Sequence, residues 1–416
     1  MTALGLAPKP VEVATLAAPA HLAGRPSVAV LPFKNLSADT GHDFFSDGVT
    51  EDVITALSRF SNLLVISKSA SFPFKGSSAS PADIGRALGV RYLLAGSIRR
   101  AEKHVRVSVE LTEATTGRLV WSETYDAEVD DIFAVQEKIA KRVVGVAAVK
   151  LTRFEEERVL AKPTSNLAAY EYVLRGREAF SQETRDENDE AIELFQHAID
   201  LDPNYAGAYA ALAESHYQSV IAGWAEFREA ELKLAQTLAL KALALDPTTT
   251  RAYNALAQIE LYRKHYDLAL AQIDRALEIN PSDVQSYAAR GAFLVWAGRP
   301  AEALPWLEGA LRFDAANGFA ASKLCMAYYL LGRYADAVDA GVRGLSPNPG
   351  RNTQLLTHPM LAAAYAEMGR QQDADHERAI AARLWPLLDS RTFADQFGTP
   401  EARAHILEGL KKAGFR

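Results

Sequence analysis

Apolar residues in the second half of the chain form pairs of amphipathic stretches that repeat at a nearly constant interval. Each pair ends at a short motif such as LDP or INP. The markers are Pro203, Pro247, Pro281, Pro349 and Pro386, with Ala315 in the equivalent place between the third and the fourth. Successive markers are 44, 34, 34, 34 and 37 residues apart. A unit of about 34 residues with two amphipathic stretches predicts a stack of helix-turn-helix repeats.

Residues 26 to 152 have a different pattern. Short β-branched runs in SVAVLPF, NLLVIS and RYLLAGSIRR predict strands, and a helical pattern from 43 to 60 lies between the first two. HVRVSVELTE alternates apolar and polar residues, turns at TTGR and returns as LVWSETY, which predicts an antiparallel hairpin. SPADIGRALG has Ser80 as N-cap, Pro81 next to it and a closing Gly89. With a closing helix after residue 131, the predicted order is β-α-β-α-β-β-β-α, a compact α/β domain.

The repeat units resemble the tetratricopeptide repeat (TPR) family. In the third unit, the residues that match the family pattern are Tyr253, Leu256, Ala257, Ala269, Ile273, Ala276 and Pro281. About ten extra residues around VIAGWAEFRE in the second unit are expected in or beside the turn between its helices. Gly341 and Gly344 in the fifth unit predict a loose second helix. The last stretch, EARAHILEGLKKAG, predicts a helix that caps the open end of the stack.

The order of elements in residues 26 to 152, with SVAVLPF, FFSDGVTEDVITALSRF and LGVRYLLAGSIRR, resembles the TolB amino-terminal-like domain of bacterial signalling proteins. In that family the domain is followed by TPR repeats. Relatives commonly carry a class III nucleotide cyclase domain or a winged-helix DNA-binding domain ahead of it. The resemblance implies a small mixed-sheet α/β domain followed by an all-α TPR solenoid. Ala95 stands where relatives often carry an acid, so no role of that acid is carried over.

These patterns divide the chain into five predicted parts. Residues 1–25 are Ala/Pro-rich and are expected to be a linker or disordered tail. Residues 26–152 form the α/β domain, and 153–165 form a linker. Residues 166–390 form an array of about six TPR units, and 391–416 form the capping helix.

Composition and charge narrow the functional classes. The chain has 416 residues and a formal net charge of −7 without a basic stripe, which argues against nucleic-acid binding by this chain alone. The single cysteine, Cys325, lies in an apolar helical run and is expected to be a buried thiol. No apolar run approaches the ~20 residues of a membrane span, and the start lacks signal-peptide features. A cytoplasmic location is predicted, with a periplasmic one as the alternative if an anchor precedes Met1.

Four carboxylates lie within ten positions near the start of the helix predicted from 43 to 60: Asp43, Asp47, Glu51 and Asp52. The apolar positions that place this helix on the sheet are Phe45, Val49, Val53 and Leu57. Carboxylates here interact favourably with the helix dipole, and Asp43 or Asp47 can cap backbone N–H groups. The same spacing suits a hard cation or a partner contact. Capping and solubility are the favoured interpretation, since no further ligand set is evident.

Catalytic signatures are absent from the sequence. It contains no P-loop, dinucleotide-binding, zinc-protease or nucleophile-elbow motif. His216 and His265 fall near predicted helix ends, where a surface or turn role is expected. The sequence therefore predicts no catalytic residue, no metal site and no cofactor.

The TPR resemblance implies that the first helix of each unit lines a concave face. The predicted partner-binding residues on this face are Asn254, Gln258, Tyr262, Gln285, Trp296, Ser322, Met326 and Tyr329. Amide, aromatic and methionine side chains suit a peptide or a helical segment. The alternative is that half of these aromatics pack between repeats. The face lacks the Lys/Arg and Asn pattern of TPR domains that clamp a terminal carboxylate.

The predicted function is a non-catalytic protein-interaction or scaffold module in bacterial signalling, which binds a protein or peptide on the concave TPR face. The alternative is the regulatory half of a class III adenylate or guanylate cyclase, or of a winged-helix transcriptional regulator, whose output domain lies outside this chain. The identity of the partner, a small ligand of the α/β domain and a homo-oligomeric state are left open.

Overall fold

The computed structural model describes residues 25–37, 43–60, 62–147, 164–345 and 349–416. Nearly all of the predicted N-terminal tail at 1–25 and of the predicted linker at 153–165 lies outside the described residues. The described part contains a mixed β-sheet with its helices, here called the α/β domain (residues 25–147), followed by a mostly helical solenoid.

The sheet combines parallel and antiparallel pairing. Its strands are β1 (Ser27–Val30), β2 (Lys34–Asn35), β3 (Leu64–Val65), β4 (Tyr92–Ala101), β5 (His104–Glu113) and β6 (Arg118–Glu128). The strand order is β3-β1-β4-β5-β6, and β2 also pairs with β4. Pairs among β1 to β4 are parallel, whereas β4, β5 and β6 are antiparallel neighbours. Every residue of β1 is buried, as expected for an inner strand covered on both faces.

The hairpin follows the predicted alternation. Val105, Val107, Val109 and Leu111 are buried, whereas the polar residues between them face outward or are partly buried. The register shifts at Leu111/Thr112, where a β-bulge interrupts the pairing of β5 with β6. The short strand β2 is an element that the sequence pattern did not predict.

Helices cover both faces of the sheet. They are α1 (Asp43–Ser58), α2 (Lys68–Ser71), α3 (Pro81–Leu88) and α4 (Ile132–Val146). One core holds residues of α1 and α4 with the sheet, and a second, smaller core holds Ile84 of α3. Helix α3 begins and ends as predicted: the Ser80 hydroxyl accepts a hydrogen bond from the backbone N–H of Asp83, and Gly89 ends the helix with φ +66°.

Six antiparallel helix pairs follow in the described residues. They are α5 (Leu167–Phe180) with α6 (Arg185–Leu201), α7 (Ala206–Ile221) with α8 (Arg228–Leu245), α9 (Thr250–Tyr262) with α10 (Tyr266–Ile279), α11 (Val284–Trp296) with α12 (Pro300–Phe313), α13 (Gly318–Leu330) with α14 (Tyr334–Gly344), and α15 (Arg351–Glu367) with α16 (Gln371–Leu384). The extra residues of the second unit lengthen both of its helices and leave a connection at 222–227.

Two glycines in α14 have a packing role, which corrects the expectation of a loose helix. A Cβ on Gly341 would lie 2.6 Å from a methyl carbon of Leu361 and 3.1 Å from the sulfur of Cys325. A Cβ on Gly344 would lie 3.0 Å from the backbone nitrogen of Ser322. Glycine is therefore required here because neighbouring helices approach the backbone closely.

The α/β domain contacts the solenoid at several places along the array. Tyr170 and Leu174 of α5 belong to the core of the α/β domain, and Leu174 fills the space beside Gly48 of α1. Farther along the array, the hydroxyl of Ser282 donates a hydrogen bond of 3.1 Å to the backbone carbonyl of Leu63. The domain therefore spans from the first repeat to loops of the third and fourth repeats.

The C-terminal residues 390–416 do not extend the stack beyond its last helix, which corrects the expected cap. They form α17 (Ser390–Ala394) and α18 (Pro400–Lys412), here called the C-terminal strap. Helix α18 lies against α15 and reaches α13. The segment between the two helices runs back to the third and fourth repeats, where Gly398 donates a 2.7 Å hydrogen bond to the carbonyl of Trp296.

Candidate functional site

A cleft of about 2210 Å³ lies between the α/β domain and the concave face of the solenoid. We call it the central cleft. Its walls come from α1, α2 and α4 on one side and from α5, α7, α9, α11, α13 and α15 on the other, with Thr392, Asp395 and Gln396 of the strap at its edge. The α/β domain therefore forms one wall of the surface that the sequence predicted as a binding face.

Five of the eight predicted partner-binding residues line the central cleft: Asn254, Gln258, Tyr262, Gln285 and Trp296. Tyr262 is 41% exposed and Gln285 is exposed, while Gln258 is half-buried. Asn254 is buried and its side-chain oxygen accepts a 3.0 Å hydrogen bond from the hydroxyl of Ser286 in the next repeat. A ligand in the cleft would meet Tyr262, Gln258 and Gln285 first.

Trp296 is a covered residue of the cleft wall. Its side chain is 8% exposed, and its ring lies 4.8 Å from that of Phe397 in the C-terminal strap. The strap therefore covers part of the surface that the sequence predicted to bind a partner.

Ser322, Met326 and Tyr329 are buried and do not line the central cleft. The Ser322 hydroxyl accepts a 2.7 Å hydrogen bond from Thr357, and the Tyr329 ring lies 4.9 Å from the imidazole of His405 in α18. These three side chains pack between helices. That placement matches the alternative in which part of the predicted face is inter-repeat packing.

Two other residues of α13, Phe319 and Lys323, line the cleft instead. They lie four residues apart on one helical face, as Asn254, Gln258 and Tyr262 do in α9. Sequence reasoning missed Lys323 because it lies in an apolar run. The i, i+4 spacing from Phe319 was the signal that would have identified it.

The first half of the acidic stretch forms surface contacts. Asp47 accepts hydrogen bonds of 2.8 and 2.9 Å from the Lys75 ammonium, and Asp43 lies 3.6 Å from the same group. Asp43 also accepts a hydrogen bond from the amide of Asn35. These carboxylates therefore join α1 to the residues that follow α2 and to β2.

The second half of the stretch faces the solenoid. Glu51 is paired with Lys68 at 2.8 Å and with Arg251 of α9 at 3.8 Å. Burial alone would raise the pKa of Glu51, but Arg177, Lys68 and Arg251 outweigh it and lower this pKa to about 2. Glu51 is therefore an ionised link between α1 and the third repeat, a role that differs from the favoured interpretation of the sequence.

Asp52 lies in a buried network at the contact of α1 with α5. The Tyr170 hydroxyl donates a 2.5 Å hydrogen bond to Asp52, and Gln136 donates a second one of 3.3 Å. Arg177 lies 3.5 Å from the same carboxylate. Burial raises the pKa of Asp52, and Arg177 opposes that rise. The network holds the α/β domain on the first repeat.

The described residues contain no group of three or more His, Cys, Asp or Glu side chains placed to hold a metal ion. His216 and His265 each pair with a glutamate, at 2.7 Å from Glu231 and Glu260. Cys325 is buried as predicted, and burial raises the pKa of its thiol to about 12. No described helix is long and apolar enough to cross a membrane.

The fold and the cleft define a helical-repeat protein with an attached mixed-sheet domain, and family comparisons agree. Residues 185–220 match the model described as TPR repeat, and 250–283 match the one described as Tetratricopeptide repeat. Residues 24–142 match the model described as HilA/YgeH-like transcriptional regulator, second domain. The chain thus carries TPR repeats and a HilA-like domain.

Two curated proteins are similar to parts of this chain. The chain is 36% identical over 251 residues to the protein named "Putative adenylate cyclase 3" of Rhizobium meliloti strain 1021, covering 60% of this chain and 43% of that one. It is 28% identical over 187 residues to "Transcriptional regulator HilA" of Salmonella typhimurium strain LT2, covering 44% of this chain and 33% of that one. The chain spans less than half the length of both relatives.

Among solved structures, PilF of Pseudomonas aeruginosa is 21% identical and covers 53% of this chain and 94% of its own, with a TM-score of 0.41.

Proposed function

We propose that this chain is a non-catalytic interaction module that binds an extended peptide segment of a partner protein in the central cleft. The observation that supports it is the row of cleft-lining side chains supplied by successive first helices, with Tyr262, Gln258 and Gln285 the accessible ones. Amide groups pair with a peptide backbone, and an exposed aromatic supplies apolar contact area.

The test is binding of the labelled full chain to an array of random twelve-residue peptides. We expect Tyr262→Ala to weaken binding about tenfold, as for a moderate interface anchor, with little loss of stability because the ring is 41% exposed. Leu268→Ala is the matched control, since Leu268 is 55% exposed on α10 and does not line the cleft. Equal binding by both variants would rule out the cleft as the binding site.

A second candidate is that this module regulates an output domain on the same polypeptide. The cyclase and HilA relatives support it, because each is more than twice as long as the segment that this chain covers. The resemblance of the α/β domain to the TolB amino-terminal-like domain of bacterial signalling proteins supports this second candidate. A signalling role in the cytoplasm is part of the same proposal. Fusing the chain to the remainder of the Rhizobium meliloti relative and measuring cyclic nucleotide formation with and without an array-selected peptide tests it.

A further inference from the structure

Lys323 is a buried lysine in the wall of the central cleft. Its side chain belongs to α13, and the residue is 1% exposed. The ammonium nitrogen lies 4.6 Å from the centre of the Trp296 ring and 5.3 Å from that of Phe319. Two aromatic faces therefore hold the cation by cation–π attraction.

Lys323 has no anionic partner within the described parts of the chain. Its ammonium makes one polar contact, 3.6 Å from the thioether sulfur of Met326, which is a weak acceptor. Two other cations of the cleft have carboxylates: Lys68 pairs with Glu51 at 2.8 Å, and Arg251 pairs with Glu214 at 2.5 Å. Lys323 differs from these two cations because it lacks a counter-ion.

A buried ammonium without a counter-ion is unfavourable, because burial removes its hydration. Burial accordingly lowers the pKa of Lys323 to about 7. The titratable group beside it is the Cys325 thiol, which burial keeps neutral. Charged side chains that line the same cleft on neighbouring elements include Arg351 of α15, Asp283 at the start of α11 and Asp395 of the C-terminal strap, with Lys264 near Asp395. Lys264 donates its hydrogen bond to the backbone carbonyl of Asp395.

We propose that Lys323 binds a carboxylate of the peptide that occupies the central cleft; this inference rests on the proposed function. The long, flexible lysine stem lets the ammonium turn from the Met326 sulfur toward the cleft. A single ammonium is a point charge without the fork geometry of arginine. It can donate hydrogen bonds to the carboxylate of an Asp or Glu side chain or to a C-terminal carboxylate.

Proton uptake is a consequence that a purely structural lysine would not show. A ligand carboxylate raises the pKa of Lys323, so above pH 7 the bound complex holds more protons than its separate components. The affinity for an acidic peptide is then constant below about pH 7. It falls by up to about tenfold per pH unit above that value, until the pKa of the bound state is reached.

The first experiment uses the full chain and a three-part array of twelve-residue peptides. One part carries Glu or Asp with an amidated C-terminus, the second carries a free C-terminus without acidic side chains, and the third replaces each acid by its amide and is amidated. We expect binding to the first or the second part to be about tenfold or more tighter than to the third. The part that binds identifies the source of the carboxylate.

Variants test the residue. Lys323→Met, a neutral chain of similar length, should bind all three parts equally and at the level of the third. Lys233→Met is the control: it removes the same charge from an exposed position of α8 outside the cleft and should keep the preference. If the wild type itself binds the three parts equally, the inference is overturned and the proposed function stands. If no part binds, the proposed function is wrong as well.

The second experiment needs no variant. Calorimetric titration of the tightest acidic array peptide at pH 8, in phosphate and in Tris, measures the protons exchanged on binding. We expect net uptake of a fraction of a proton at pH 8 and a value close to zero at pH 6. Zero uptake at both pH values would contradict a role for Lys323 in binding the carboxylate.

Discussion

Among single residues, Lys323 shows how burial changes a side chain that is ordinarily charged at neutral pH. Its folded-state pKa is about 7, below its ordinary 10.5, so the unfolded chain binds more protons between these values. This residue therefore destabilises the protein fully below pH 7, and the cost is relieved as the pH rises toward 10.5. Removing the amine should stabilise the fold most at or below neutral pH.

We predict that Lys323→Met raises the free energy of unfolding at pH 7 by about 1 to 4 kcal/mol, as for other replacements of buried charges by apolar groups. The gain should shrink by pH 10. Urea unfolding followed by circular dichroism at the two pH values measures both quantities. A gain that is the same at pH 7 and pH 10 would show that packing, and not charge, is responsible.

Two carboxylates of α1, Glu51 and Asp43, can be compared because Glu51 faces the solenoid and Asp43 is exposed. The pKa of Glu51 is lowered from 4.5 to about 2, so its contribution is present above pH 4.5 and is lost as the pH falls through 2. We predict that Glu51→Gln costs about 1 to 3 kcal/mol at pH 7 and much less at pH 2, where about half of the Glu51 carboxyl groups are already protonated. Asp43→Asn removes an exposed charge 3.6 Å from Lys75 and should cost at most about 1 kcal/mol. Unfolding free energies across pH 2 to 7 test the pair, and equal costs at pH 7 would refute the assignment of Glu51 to the interface.

At the scale of elements, the C-terminal strap depends on a close helix contact. A Cβ placed on Gly409 of α18 would lie 2.7 Å from the ring carbon that carries the Tyr329 hydroxyl, deep in the array. We predict that Gly409→Ala lowers the free energy of unfolding by about 1 to 3 kcal/mol, as overpacking does.

The control is Gly145→Ala in α4, where a Cβ meets nothing within 4 Å. That variant should be more stable by about 0.5 to 1 kcal/mol, since alanine favours a helix over glycine. Thermal unfolding of both variants measures the two opposite shifts. A stabilised Gly409→Ala variant would mean that α18 does not pack on α13 in solution.

Elements with local signals could be predicted from sequence, and those fixed by distant contacts could not. Alternation predicted the hairpin, capping residues predicted α3, and the 34-residue period predicted the repeats. The lining of α13 could not be predicted from the period: Ser322 and Met326 lie 68 residues, two periods, after Asn254 and Gln258, yet they are buried and do not line the cleft. The period sets which helical positions correspond, whereas the neighbours that cover them, such as His405 of α18 on Tyr329, come from distant parts of the chain. The return of the C-terminal strap has no local signal at all.

At the scale of the whole molecule, the α/β domain and the first repeats share one core. Leu174 of α5 is buried among residues of the sheet and of α1. We predict that Leu174→Ala costs about 2 to 5 kcal/mol. Hydrogen exchange should accelerate together in peptides from β1 and from α6, because the two regions lose the same contact. Leu268→Ala on the exposed side of α10 is the control and should change neither, whereas acceleration in α6 alone would show that the two parts unfold independently.

The C-terminal strap also limits how the array of repeats can change shape. Because each stacked repeat contacts only its neighbours, a solenoid without other contacts can lengthen and shorten along its axis. Here Tyr266 donates a 2.7 Å hydrogen bond to the carbonyl of Gln396, and Ser282 bonds to the α/β domain at 3.1 Å. These two hydrogen bonds join the third and fourth repeats to segments far from them in the chain. These two bonds therefore oppose changes in the distances from the third and fourth repeats to the strap and to the α/β domain, and so in the width of the central cleft.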